Sequence, residues 1–306
     1  MHSVLCAGSI ALDTTRTPFF TAERALGGSA SYFAIAASFF APVSVVSVVG
    51  SDFPQSDWDF LEKRAGLDLS GVERSASEKT FFYDSSFGYD LGSRTTNETQ
   101  LNCLAGFKPT VPPLAQQSRH VYLATLAPGQ QLSVLRQVKN CAFSAMDTIE
   151  FFINTERPAL LKTIAAVDCI ILNDSEARLL TGEGNLLKAG KKIWAMGPKV
   201  VVIKKGENGS LLFYSGAVYP FPAFPLEDLK DPTGAGDSFA GGFMGYLAKH
   251  GVERDGLTPS QLRKAIAYGT VMGSFAVEDF SLNRLASIEA DDVATRFEQY
   301  RALVQF

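Results

Sequence analysis

The stretch DPTGAGDSFAGGF, Asp231 to Phe243, decides how this 306-residue chain is read. From Gly236 onward, GDSFAGGFMGYLAKH has helical length and ends near Gly251. Gly241, Gly242 and Gly245 weaken such a helix intrinsically, so they mark close packing against a neighbour. Ahead of it, Thr233-Gly234-Ala235-Gly236 is a tight turn whose N–H groups can point into one space. The unpaired donors of a first helical turn carry partial positive charge and suit a phosphate or a developing oxyanion. Bulk at 234–236 would keep a phosphoryl group away from those amides. Asp237 beside them has two uses. It complements the helix dipole, or it takes the proton from an attacking hydroxyl while the amides stabilise the transferring phosphate. The motif alone leaves both open.

Outward from this stretch, apolar runs alternate with helix-like segments. VLCAGSIAL, VSVVSVVG, HVYLAT, CAFSAMDT, CIILND and VVVIKKG read as strands. GSASYFAIAASFF, FPQSDWDFLEKRAG, GQQLSVLRQVK and ERPALLKTIAAVD have helical length. Continuous Val/Ile/Leu runs between helices indicate an α/β fold with a mostly parallel central sheet and helices on both faces. Ligands then belong at the carboxyl ends of the strands. Residues 79–107 break the pattern, being rich in Phe, Tyr, Thr and Gly with no helical period. They read as two or three antiparallel strands. With a contribution from about 14–24 they form a small β lid on a single domain spanning 1–306. An ordinary surface hairpin, or a dimer contact through its aromatic edge, would leave the same pattern.

Bulk properties remove other classes. Net charge is −4, pI is about 5.5, and no Lys/Arg run exceeds two, which disfavours nucleic acid or a membrane surface as partner. No segment reaches the roughly 18 apolar residues of a membrane span. The N-terminal MHSVLCAGSIALD lacks a basic leader and is interrupted by Asp13, so it reads as a first buried strand rather than a signal peptide. Cys6, Cys103, Cys141 and Cys169 show no CxxC spacing and read as reduced thiols of a cytoplasmic protein. His2, His120 and His250 lie far apart, and neither GxSxG nor GxxxxGK(S/T) occurs. Carboxylates, backbone amides and lysine remain to carry the chemistry.

DPTGAGDSFAGGF closely resembles the C-terminal signature of the ribokinase-like (PfkB) carbohydrate kinase family, and other segments fall in family order. GSIALD (8–13) resembles the first strand of those kinases, which ends in a substrate-binding aspartate, here Asp13. GGSASYFAIAASFFAP (27–42) with VGSD (49–52) resembles the N-terminal signature, whose paired glycines, here Gly27 and Gly28, approach the sugar. NDSE (173–176) is similar to the family's NxxE, and VIKKGENGSLLF (202–213) to the strand and turn under the nucleotide phosphates. The resemblance spans nearly the whole chain. It implies a ribokinase-like fold and transfer of the γ-phosphate of ATP to a hydroxyl of a sugar or sugar derivative. Asp237 would be the general base and the amides of Gly234, Ala235 and Gly236 the anion hole. Asn173 and Glu176 would position Mg2+ through water, since magnesium dehydrates reluctantly. Lys204, Gly206 and Thr233 would lie near the nucleotide, with 265–280 around its base. Asp231 and Thr233 match positions that in many members help hold a monovalent cation, K+.

One departure bears on the acceptor. Ribokinase-type members read much like GGKGAN where this chain reads GGSASY, putting Ser29 at the lysine and Tyr32 at the sugar-binding asparagine. A phenol cannot reproduce an amide's paired contact. It brings an aromatic face instead. With Phe81, Phe82, Tyr83, Phe87 and Tyr89 it leaves room for a nucleoside whose base stacks there, unless these rings are simply the lid's own core. Asp147, at a strand end, is placed to face the site. Asp90 and Arg94 of the lid could touch substrate but read more simply as solvated. The leading expectation is a sugar kinase. A nucleoside kinase and a non-catalytic sugar- or nucleotide-binding regulator are the alternatives, and a homodimer through the lid is a further expectation. A dinucleotide oxidoreductase loses ground because GAGDSF lacks the final glycine of GxGxxG.

Overall fold

The computed structural model describes residues 3–305; Met1 and His2 of the expected first strand lie outside them. In chain order the strands and helices are β1 (Val4–Ala7), β2 (Ala11–Arg16), β3 (Thr21–Gly27), α1 (Ser29–Ser38), β4 (Val43–Val49), α2 (Gln55–Lys63), β5 (Leu67–Arg74), β6 (Phe81–Phe87) and β7 (Arg94–Gln100). There follow β8 (His120–Leu123), α3 (Pro128–Gln137), β9 (Phe143–Met146), α4 (Glu150–Thr155), α5 (Arg157–Ile164), β10 (Cys169–Asn173), α6 (Asp174–Thr181) and α7 (Leu186–Trp194). The last are β11 (Val200–Lys204), β12 (Ser210–Tyr214), β13 (Ala217–Phe221), α8 (Ala235–Lys249), α9 (Pro259–Ala276), α10 (Asn283–Ser287) and α11 (Ala290–Val304).

A nine-stranded sheet runs β13-β12-β11-β10-β9-β8-β1-β4-β5. Every pairing from β5 across to β11 is parallel, and β12 and β13 close the far edge antiparallel. Side chains alternate across it. Val4, Cys6, Val200 and Val202 join the core under α1, α8 and α9, whereas Leu5, Ala7, Val201 and Ile203 join the core under α3, α5, α6 and α7. Both faces are covered, which is why these strands read as unbroken apolar runs. The chain leaves β1 toward β4 and β5, then returns to β8 on the other side of β1. Such a reversal opens a crevice beyond the strand ends.

The glycines of α8 do what their positions suggest. A Cβ at Gly241 would meet Phe33 O at 2.5 Å, and one at Gly242 would meet Tyr268 O at 2.5 Å, so α8 lies in near backbone contact with α1 and α9.

One expectation changes. VLCAGSIAL is not one strand: it breaks at Gly8–Ile10, and the chain enters a second sheet at Ala11. In that sheet, β3-β2-β6-β7, the two strands of 79–107, β6 and β7, pair antiparallel as expected, β3 joins β2 antiparallel, and β2 joins β6 in parallel. Asp13 thus lies on the second strand of the chain, in the small sheet. Strands β5 and β13 were not legible as apolar runs, being half-exposed along the sheet edges.

Candidate active site

Gly234 takes φ 75°, a left-handed conformation that suits glycine, and turns the chain into α8. Ala235 N–H is spent on Pro232 O at 3.3 Å. The N–H groups of Gly234, Gly236 and Asp237 meet no acceptor among the described residues. Of the amides expected at 234–236, that of Ala235 is thus used within the turn, and that of Asp237 is unmet besides. Asp237 sits half-buried in this first turn. Burial pushes its carboxyl up, and the charges of Lys204 and Arg94 oppose the rise.

Lys204 ends β11, and its ammonium occupies the space a Cβ at Gly236 would need. Register Asn173↔Lys204 brings the end of β10 beside it. Asn173 caps α6: its Oδ1 accepts from Glu176 N at 2.8 Å and Ser175 Oγ at 2.7 Å, and Glu176 Oε2 accepts from Asn173 N at 2.7 Å. This is a capping box. With Oδ1 doubly used, Asn173 has its amide nitrogen left to offer a ligand, a donor for water or phosphate rather than a direct metal ligand. Glu176 keeps Oε1, which no protein donor meets among the described residues. Burial lifts its carboxyl to about 7 against the pull of Lys204. Gly206 takes φ 55° with open space on its Cα, whereas Gly209 backs directly onto Phe221 O.

At the small sheet, Asp13 fills the space a Cβ at Gly27 would take, and its Oδ2 accepts from Gly28 N at 3.2 Å. Burial lifts Asp13 to about 7; the charges of Asp231 and Asp237 add to this, while the Gly28 amide and Arg94 oppose it. Gly28, at φ 89°, sits 2.5 Å in Cβ terms from Ser9 O. Ser29 is a structural knot: its hydroxyl accepts from Ser9 N at 3.3 Å and Thr125 N at 3.1 Å. Asp231 is buried, with Oδ1 accepting from Thr233 N at 2.8 Å, and Thr15 of β2 meets Thr233 side chain to side chain at 3.2 Å. The small sheet thus touches the turn that leads into α8.

Tyr32 is placed differently from the expectation. It is 2% exposed, and Gly234 rests on its ring, so its face is not open to a base. Its phenol is pushed up by burial and by Asp231, Asp13 and Asp237. Phe81 packs on the main core and Phe82 lies under Arg24, leaving Tyr83 as the ring beside Asp13, its register partner across β2 and β6. Tyr89 is 83% exposed at the sheet's tip, and Asp90 closes the β6–β7 turn through Gly92 N and Ser93 N, both at 3.1 Å.

Two further residues bear on this group through space. Asp147, at the end of β9, is buried and accepts from Tyr122 Oη at 3.1 Å; burial and then Asp237 push its carboxyl up while Lys204 opposes. Arg94 bears on Asp13, Glu176 and Asp237 together. Neither carries a local motif: Asp147 follows β9 of the large sheet, and Arg94, exposed, opens β7 of the small one.

The model of the pfkB family of carbohydrate kinases matches residues 1–288. The chain belongs to that family. This kinase is a phosphotransferase with an alcohol group as acceptor. A cytidine kinase of Thermococcus kodakarensis is 29% identical over 255 residues, 80% of this chain and 89% of the relative. Two solved structures share the ribokinase-like fold. An E. coli chain assigned as ribokinase II, in complex with ATP and Mg2+, has a TM-score of 0.78 at 17% identity, covering 98% of the kinase and 100% of that chain. Burkholderia thailandensis nucleoside kinase in complex with inosine has 0.77 at 18%, covering 98% and 99%. Among the described residues no helix of the kinase is long and apolar enough to cross a membrane.

Proposed function

We propose that the kinase transfers the γ-phosphate of ATP to a hydroxyl of a nucleoside, with a free sugar as the second reading. The observation that carries it is the pairing of Asp13 with Tyr83. A ribose hydroxyl held by Asp13 lies beside Tyr83, a half-buried ring that is neither packed into the core nor under Arg24 and that Arg94 flanks at 5.8 Å. The cytidine kinase relative supports the same acceptor class and moves the nucleoside ahead of the free sugar.

In this reading the small sheet is a lid and Asp13, Gly27 and Gly28 orient the acceptor. Asp237 takes the hydroxyl proton, the oxygen forms its bond to the γ-phosphorus, and the bond from that phosphorus to the bridging oxygen breaks, releasing ADP. The amides of Gly234, Gly236 and Asp237 receive the charge on the transferring group. Lys204 and Gly206 serve the nucleotide phosphates, and Asp231 with Thr233 would hold K+. Among the described residues no three His, Cys, Asp or Glu side chains converge as a metal cage. Glu176 Oε1 and the Asn173 amide therefore fit Mg2+ carried mainly by phosphates and water. Bound magnesium neutralises phosphate charge. Tyr32 acts from beneath the phosphate turn, not as a stacking surface.

The test is ADP release with Mg2+ and K+ across cytidine, inosine, ribose, fructose and a sugar acid. Preference for a nucleoside, lost in Asp237→Asn with ADP binding intact, is expected. Turnover of free sugars alone would return the sugar reading, and ATP binding without turnover would favour a silent regulator.

A further inference from the structure

The site gathers Asp13, Asp147, Glu176, Asp231 and Asp237, and burial raises all five carboxyls. The side-chain cations that bear on this group are Lys204, from the large sheet, and Arg94, from the small one. Phosphoryl transfer spreads negative charge over equatorial oxygens, so a site this acidic needs every cation it can aim.

Arg94 opens β7 and pairs in register with Phe87 of β6. Its guanidinium carbon lies 5.8 Å from the centre of the Tyr83 ring, and Tyr83 stands across from Asp13. Tyr83 Oη bonds Thr96 Oγ1 at 2.8 Å, which fixes the ring on which Arg94 rests. Arg94 makes no ion pair among the described residues, in contrast to Arg16 and Arg24 of the same sheet, which pair with Asp84 and Asp52. This exposed, unpaired guanidinium rests beside Tyr83, across from Asp13, and its charge bears on Asp13, Asp237 and Glu176, the three groups that flank the transferring phosphate in the reading above.

We propose that Arg94 is a catalytic residue of the kinase: carried by the small sheet, its guanidinium binds the transferring phosphoryl group, so that closure of the sheet completes the cationic side of the site. The proposal rests on the kinase reading above. Guanidinium is suited to the task because its fork of donors matches phosphate oxygens and stays charged at any working pH.

The test uses the full-length protein with ATP, Mg2+ and whichever of cytidine, inosine or ribose the wild type turns over fastest. Arg94→Gln should lower kcat by about a hundredfold or more, with the acceptor KM within about threefold. Arg94→Lys should restore part of the rate as a point charge. Binding of ADP with aluminium fluoride and acceptor, a mimic of the planar transferring group, should weaken in Arg94→Gln while binding of ADP alone does not. Arg16→Gln, on the opposite face of the sheet, should keep the wild-type rate. Retained kcat in Arg94→Gln, or a loss confined to acceptor KM, overturns the proposal while the kinase reading stands. Absence of turnover by the wild type with all three acceptors overturns both. A wild type that turns over ribose alone sinks the nucleoside acceptor and leaves the Arg94 comparison decisive.

Discussion

Gly234 rests against the ring of Tyr32: a Cβ at 234 would overlap Cγ, Cδ1 and Cε1 of that buried ring. Two constraints meet at this glycine, its left-handed φ of 75° and the ring below. Gly234→Ala should therefore misplace the turn ahead of α8, lowering kcat by about a hundredfold and thermal stability by several degrees. Tyr32→Phe keeps the ring and should keep the turn; its kcat should stay within about tenfold of wild type. Steady-state kinetics with thermal melts on both variants checks this. A fully active Gly234→Ala would mean that the turn has slack the geometry does not show.

Lys204 and Gly236 share one space, since the ammonium lies where a Cβ at 236 would go. The far end of a lysine moves readily, so Gly236→Ala should fold nearly as well as wild type yet lose rate by displacing the charge. Lys204→Met should lower kcat about a hundredfold and raise the KM for ATP. Equal losses in the two variants would mark the position of the ammonium, rather than its presence alone, as what matters.

Asp147 gives a sharper contrast because it is buried beside charge without carrying a motif. Asp147→Asn preserves shape and a hydrogen bond to Tyr122 but removes an ionisable group whose proton affinity is raised by burial and Asp237. Loss of rate by about tenfold or more, with unchanged melting temperature, would assign it to the site. An unchanged rate would make it a structural partner of Tyr122.

Asp13 makes stability depend on pH. Its carboxyl rises from 3.8 to about 7 on folding, so the folded state holds the proton more tightly. That contribution is fully present below pH 3.8 and is lost as pH climbs through about 7. The ligand-free protein should lose stability over this window, and Asp13→Asn should flatten that part of the profile. Melts from pH 4 to 8 on both proteins measure it. The rate should move oppositely, rising with pH as the raised Asp237 carboxyl gives up its proton and becomes a base.

How much was legible follows from how local each signal is. The alternation of buried strands with helices, the turn at 233–236 and the helix after it are properties of neighbouring residues, and the chain displays them directly. The break at Gly8–Ile10 was hidden because β1 and β2 are both buried; apolar composition does not say that they belong to different sheets. The NDSE segment shows the limit in another form. Its spacing serves a helix cap and a cation site equally, and only the hydrogen bonds reveal that Asn173 has spent its oxygen.

The sequence by itself determined the family, the α/β architecture and the candidate base, because each rests on contiguous residues whose backbone needs and periodicity are written in order. Tertiary structure alone decided that Tyr32 lies beneath Gly234, that the charges of Asp147 and Asp237 bear on one another, and that the charge of Arg94, on a second sheet, bears on three carboxyls. These are relations between residues tens to hundreds of positions apart, and burial and Coulomb forces act through space, not along the chain.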